Sequence, residues 1–171
     1  MKGAEKRMLI EKENFISNEL CNFFIKHHNI NSQYHTKHRN TSILDCEEQS
    51  TKENFAFKLL IKKLNIFVEN SIKNTLINYS QIVKWPTGES QNEHIDFDYH
   101  TATSVLYLND EYEGGHTVVG DTIIKPKKGK IILFDGSKTK HRVLPITFGT
   151  RYTNATWYVN KTEDDIINDN R

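Results

Sequence analysis

Cysteine is scarce in this 171-residue chain: only Cys21 and Cys46 occur, with no CxxC spacing around either. Two thiols cannot build a disulfide framework, so the composition points to a reducing compartment. Excess charge is missing as well, since 23 basic and 22 acidic side chains leave a net charge of +1. A protein driven onto nucleic acid by phosphate contacts ordinarily carries a clear basic excess, so no nucleic-acid partner is expected. Long apolar runs are also lacking. The first residues, MKGAEKRMLIEKEN, mix charges of both signs, and no stretch reaches the length of a membrane span. Neither a signal peptide nor a membrane contact is expected, and a cytoplasmic location follows. Without internal repeats or a linker, one domain over residues 1–171 is expected, a length sufficient to bury a core.

What is present falls into two textures. The first is helical. Ser17 can cap a helix through Glu19, Leu20, Phe23 and Phe24. The polar stretch from Gln33 to Asp45 reads as a loop. A longer helix follows, with Thr51 as its candidate cap and Phe55, Leu59, Leu60, Leu64, Phe67 and Val68 at helical spacing; the pattern extends, with a break, through Ile72, Leu76 and Ile77. From Tyr79 the chain changes to short runs rich in Val, Ile, Thr, Tyr and Phe, punctuated by Pro-Thr-Gly, Asn-Asp, Gly-Gly, Lys-Gly and Phe-Gly-Thr. Strands are predicted near 81–85, 92–97, 102–109, 117–119, 122–125, 130–135, 140–144 and 151–159. Such short strands and frequent turns suggest a sandwich or barrel. The fold class is therefore α+β, with helical support over about 15–78, a strand-rich core over about 79–159 and a frayed polar tail over 160–171.

Three pieces of the strand-rich half carry chemistry: His94-Ile95-Asp96, His141 and Arg151. In a strand, residues i and i+2 share a face, so His94 and Asp96 can converge on one ion, and His141 can supply a third ligand. Two histidines and one carboxylate on one side of a metal are the facial triad of non-haem Fe(II) oxygenases, which leaves positions open for a bidentate 2-oxo acid and dioxygen. If Leu144–Thr150 is a hairpin turn centred near Ile146, Arg151 lies directly opposite His141 and enters the same cavity. A planar, permanently charged fork suits the distal carboxylate of such an acid. Singly, each piece has an ordinary explanation: a strand with polar groups facing out, or a surface salt bridge. Their order and spacing carry the joint reading.

Together with Val105-Leu106-Tyr107-Leu108-Asn109, Gly114-Gly115-His116-Thr117 and Pro126-Lys127-Lys128-Gly129, these residues resemble the prolyl 4-hydroxylase-like branch of the 2-oxoglutarate oxygenases over about residues 79–159. The chain also resembles the compact versions carried by bacterial viruses. The resemblance implies a double-stranded β-helix (jelly roll) with supporting N-terminal helices. It implies Fe(II) on the catalytic ligands His94, Asp96 and His141, with 2-oxoglutarate and O2 as co-substrates and ascorbate as an accessory reductant. Arg151, helped by Tyr107 and Thr117, would bind the distal carboxylate, and Trp157 would line the site. Trp85 stands where the family has a tyrosine touching 2-oxoglutarate, Gln91 where it has one facing the substrate, and His116 where an acidic or neutral residue is commoner. The implied reaction hydroxylates a prolyl residue of a peptide or protein, releasing succinate and CO2. Substrate-facing candidates are the Gln33–Glu48 loop and Phe97–Thr101, with Asp98 and His100 at the mouth.

Other readings stay open. A free amino acid hydroxylase fits the same motifs, as does a binding module without its metal; a zinc site is a further use of two histidines and an aspartate. A nucleobase demethylase of the superfamily needs a second arginine where Trp157 stands. His27-His28 and His35-Thr36-Lys37-His38 lack carboxylate or thiol partners at ligand spacing and read as exposed polar residues rather than a second metal site.

Overall fold

In the computed structural model, which describes residues 8–169, the chain opens with strand β1 (Leu9–Lys12) and helix α1 (Asn18–Ile30). Ser17 caps α1 as expected, its hydroxyl accepting from the Leu20 N–H at 3.2 Å. The stretch expected as a loop is instead a 3-10 turn (Ser32–Tyr34) leading into a hairpin of β2 (Thr36–His38) and β3 (Thr41–Asp45). Every residue of β2 is exposed, so its sequence shows none of the apolar alternation by which a strand is recognised.

Thr51 ends the short helix α2 (Cys46–Thr51) rather than starting the long one. Its hydroxyl bonds back to the Glu48 carbonyl, while Asn54 accepts from the Ala56 and Phe57 N–H groups and caps α3 (Phe55–Ser71). Asn74, in the left-handed region at φ 58°, turns the chain after α3. Leu76 and Ile77, read from spacing as more helix, therefore open the long strand β4 (Thr75–Trp85). Then come β5 (Gln91–His94), β6 (Ala102–Tyr107), β7 (Glu113–Gly114), β8 (Thr117–Val119), β9 (Thr122–Ile124), β10 (Ile131–Phe134), β11 (His141–Val143), β12 (Ile146–Phe148) and β13 (Arg151–Asn160). The tail is not simply frayed: Thr162 and Asp165 exchange hydrogen bonds at the start of α4 (Glu163–Asp169).

The strands form an antiparallel seven-stranded sheet ordered β1-β10-β6-β13-β4-β3-β2, a four-stranded sheet β5-β11-β8-β9, and the pair β12-β7. This is the jelly roll the motifs implied. Its large sheet recruits β2 and β3 from the stretch expected to be a loop between helices, and β1 from ahead of the expected helical support. Alternation along each strand divides the large sheet's two faces. Leu44, Ile82, Leu106 and Ile131 pack outward against Phe24, Phe57, Leu60 and Leu64 of the helices. Val83, Val105, Thr153 and Ala155 face inward, toward a cavity. The helices thus brace one face and leave the other for chemistry.

His28 belongs to the brace. It is not an exposed polar residue: it is buried, with Nε2 3.0 Å from the Ser42 carbonyl and its ring 4.0 Å from that of His35. Burial, with the nearby His35 adding to it, pushes its pKa down to about 4 against the hydrogen bond to Ser42. A neutral His28 stabilises the fold above its unfolded pKa near 6.5, and that contribution is lost as pH falls toward 4. Unfolding free energy should drop by on the order of 2 kcal/mol over that window beyond the change in His28→Gln, whose amide still donates to Ser42. Urea midpoints measured from neutral pH down to that limit check this; equal slopes contradict it.

Candidate functional site

His94 and His141 meet because β5 and β11 pair antiparallel with these two residues in register, their ring centroids 4.3 Å apart. Asp96 arrives by a different route from the one its spacing suggested. The predicted strand over 92–97 ends at His94, and Asp96 is placed by its own N–H, which donates to the Gly136 carbonyl at 2.9 Å. One ligand atom from each of His94, Asp96 and His141 lies within 4.8 Å of the others. The two Nε2 atoms stand 3.7 and 3.5 Å from Asp96 Oδ1.

The neighbouring groups set which atoms face that point. His94 Nδ1 lies 2.8 Å from the Asn92 carbonyl and His141 Nδ1 2.9 Å from the Thr139 carbonyl. A carbonyl only accepts, so each Nδ1 carries the proton and each Nε2 presents a lone pair. Thr103 donates its hydroxyl to Asp96 Oδ2, leaving Oδ1 to the histidines. Burial alone would raise the Asp96 pKa, but the His141 ring beside it and hydrogen bonds from Thr103 and the Trp157 indole outweigh it and hold it at about 2. Two neutral imidazoles and one ionised carboxylate, with their outer atoms tied down, are a donor set suited to a divalent transition metal.

Arg151 does not sit across a hairpin from His141. Ile146–Phe148 is a strand, β12, paired with β7, which carries the chain from one sheet to the other. His141 is therefore in the small sheet and Arg151 in the large one, and the two face a shared cavity of about 510 Å3 from different walls. Arg151 is 1% exposed, yet among the described residues no acidic side chain pairs with it. Nη2 donates to Thr117 Oγ1 at 3.0 Å, and Tyr107 donates to the same oxygen at 2.8 Å. The guanidinium lies over Trp85, its partner in strand register, and near Tyr107, at 5.1 and 5.8 Å from the ring centroids. Arg151 Nε and Trp85 Nε1 are buried without a hydrogen-bond partner. A buried cation with spare donors and no counter-charge has the chemistry to take a carboxylate.

Trp157 completes the same strand face, stacked on Tyr79 at 4.5 Å. Gln91 lies on the rim, held by Arg39 at 3.0 Å. Of the stretch expected to face substrate, His38, Thr41, Ile43 and Phe97 do line the cavity. Asp98 and His100 do not: Asp98 points to solvent, and His100 turns inward to the Asn78 amide because its ring packs against Tyr79 and Tyr99. His116 contributes its backbone carbonyl, which accepts from Leu144. No second metal cluster occurs among the described residues.

Sequence reasoning missed Thr103, Gly136 and Tyr112. Thr103 was readable, since it alternates with Val105 on the inner face of β6. Tyr112 lies against Arg151, and burial raises its phenol to about 12 against the pull of that guanidinium. Gly136 was not readable, because its neighbour is far away in sequence: a Cβ there would overlap Asp96 Oδ2 and Thr103 Oγ1.

Residues 79–159 match the family model of the 2OG-Fe(II) oxygenase superfamily. Among curated relatives, a PKHD-type hydroxylase of Delftia acidovorans is 44% identical over 61 residues, covering 33% of this chain and 26% of the relative. A PKHD-type hydroxylase of Acinetobacter baumannii is 30% identical over 103 residues, covering 47% of this chain and 45% of the relative. The chain thus spans less than half the length of these curated relatives. Among solved structures, the viral collagen prolyl hydroxylase of Paramecium Bursaria Chlorella virus-1, in its 2OG complex, superposes with a TM-score of 0.65 at 21% identity, covering 90% of this chain and 96% of that one.

Gly136 gives the geometry a direct test. Gly136→Ala should weaken binding of cobalt(II), measured by calorimetry, by about tenfold to a hundredfold, the usual cost of disturbing a ligand's supporting contacts. Its circular dichroism should match the parent. Unchanged affinity would contradict the placement of Asp96.

Proposed function

We propose, from the match of residues 79–159 to the 2OG-Fe(II) oxygenase superfamily, that the chain is an Fe(II)- and 2-oxoglutarate-dependent dioxygenase that hydroxylates a prolyl residue in a peptide or protein. One observation carries the cofactor part. A buried, uncompensated guanidinium and a His-Asp-His donor set line one cavity of about 510 Å3 from different walls. A molecule with a chelating 2-oxo acid at one end and a carboxylate at the other satisfies both. Bound together, iron(II) and 2-oxoglutarate would supply the oxidation, with O2 consumed, succinate and CO2 released and one oxygen inserted into a substrate C–H bond.

The chain's own residues have the remaining tasks. His94, Asp96 and His141 would hold the metal, their atoms set by Asn92, Thr139 and Thr103. Phe134 packs edge-on against His141 at 4.9 Å and restricts its rotation. Arg151 would fork the distal carboxylate, with Thr117 and Tyr107 fixing its plane and Trp85 covering it. Val105, Ala155 and Phe134 keep the wall between the two ends apolar. His94 forms the open side, with its side chain 35% exposed, and substrate would approach past it. The prolyl assignment is supported by the name of a curated relative, prolyl 3-hydroxylase 3 of Mus musculus, 29% identical over 80 residues, and by an open rim that includes His38, Gln91, Phe97 and Arg142.

Purified protein incubated with Fe(II), ascorbate and 2-oxoglutarate should form succinate, and His141→Ala should form none; equal succinate from that variant refutes the ligand assignment. Arg151→Gln should raise the 2-oxoglutarate KM by about tenfold or more, the loss expected for a charge-assisted hydrogen bond. An unchanged KM would remove Arg151 from the carboxylate site.

A further inference from the structure

Just past Asp96 the chain offers two aromatic rings to solvent. Phe97 is 65% and Tyr99 57% exposed, and their rings stack nearly parallel, 5.4 Å between centroids and 7° between planes. Single exposed hydrophobic residues need no explanation, but a stacked pair on the rim of a cavity is a ready contact surface. The segment that carries it is fixed at three points. Asp96 N–H donates to the Gly136 carbonyl at 2.9 Å, His100 N–H to Phe97 at 3.0 Å, and Thr101 N–H to Tyr158 at 2.8 Å. Behind the rings, buried His100 packs 4.4 Å from Tyr99 and 6.0 Å from Phe97. A surface held this firmly loses little entropy when a ligand lands on it.

Phe97 also lines the cavity alongside His94 and His141, so the exposed pair continues the site outward. Resting on the reading of that site as a peptide hydroxylase, we propose that Phe97 and Tyr99 form a docking shelf for an extended peptide. The shelf receives an apolar or prolyl residue flanking the one that enters the cavity, and exposed Asp98, which lies between Phe97 and Tyr99 in the sequence, favours a basic neighbour. An extended chain advances about 3.3 Å per residue, so a peptide leaving the cavity mouth passes over the adjoining rings. A free amino acid would be contained within the cavity and leave the shelf bare. Two rings exposed to this extent offer on the order of 200–300 Å2, enough for a peptide anchor and short of the roughly 1,000 Å2 a stable protein interface needs. Asp98 has no ion-pair partner among the described residues and is free to take one from the ligand.

The test uses the Fe(II)-loaded protein with 2-oxoglutarate under anaerobic conditions and three labelled synthetic peptides. Each has a central proline, flanked by Leu and Lys, by Leu and Glu, or by Gly alone. Anisotropy reads affinity, and mass gain after admitting air reads hydroxylation. The Leu/Lys peptide should bind most tightly. The Phe97→Ala/Tyr99→Ala double variant should bind it about tenfold or more weakly, as for loss of an aromatic anchor. Phe97→Leu/Tyr99→Phe should retain most of the affinity, and Asp98→Asn should erase the preference for Lys over Glu. Matching circular dichroism and melting temperature verify that the variants fold. Equal affinity in the parent and the double alanine variant overturns the shelf, as does failure of every peptide to bind the parent. Shelf-dependent binding without oxygen gain upholds the shelf and removes the prolyl reading instead.

Discussion

The arrangement of the site turns on one unfavourable burial. Taking a guanidinium out of water costs several kcal/mol unless an anion and well-aimed acceptors replace the solvent. Arg151 is buried to 1% exposure with a threonine hydroxyl, aromatic faces and no carboxylate. The surrounding residues hold it there, on the wall of a cavity of about 510 Å3. Gly115, at φ 61°, leaves room that a Cβ would take from Ile146 and from the arginine's own Cδ, 2.8 and 3.3 Å away. A fold that keeps such a charge dry is organised to receive its partner from outside.

The jelly roll makes this possible by dividing labour between sheet faces. Alternation in β4, β6 and β13 sends one set of side chains to the helices and the other set to the cavity. The helical brace accounts for most of the apolar core, so the inner face is free to carry Thr103, Thr153 and Arg151 in place of packing residues. The small sheet then brings His94 and His141 up against that face, and Gly136 draws Asp96 into line with them. The His-Asp-His donor set and Arg151 belong to separate structural units that meet only because the sheets face each other.

Much of this was legible in the residues. His94, Asp96, His141, Arg151, Tyr107, Thr117, Trp85 and Trp157 all reach the one cavity or its wall, because residue type and order carry the chemistry. The local geometry that first linked them was less legible. Spacing alone puts Asp96 on a strand face with His94, and Arg151 across a hairpin from His141, only where local structure is continuous. The chain instead leaves β5 after His94 and changes sheets through β12, a strand too short to announce itself. The β2–β3 hairpin escaped notice for a related reason: its outer strand is wholly exposed and is held by pairing rather than by burial. Gly136 and His28 depend on neighbours far away in sequence, which no local pattern reports.

The central claim is that one ligand bridges the metal donors and Arg151. It is tested most directly by anaerobic calorimetry of the Fe(II)-loaded protein, comparing 2-oxoglutarate with pyruvate, a 2-oxo acid that lacks the distal carboxylate. The account predicts that 2-oxoglutarate binds at least about tenfold more tightly than pyruvate and that Arg151→Gln removes most of that difference. Equal affinities in the parent protein, or a preference that survives in Arg151→Gln, would contradict it.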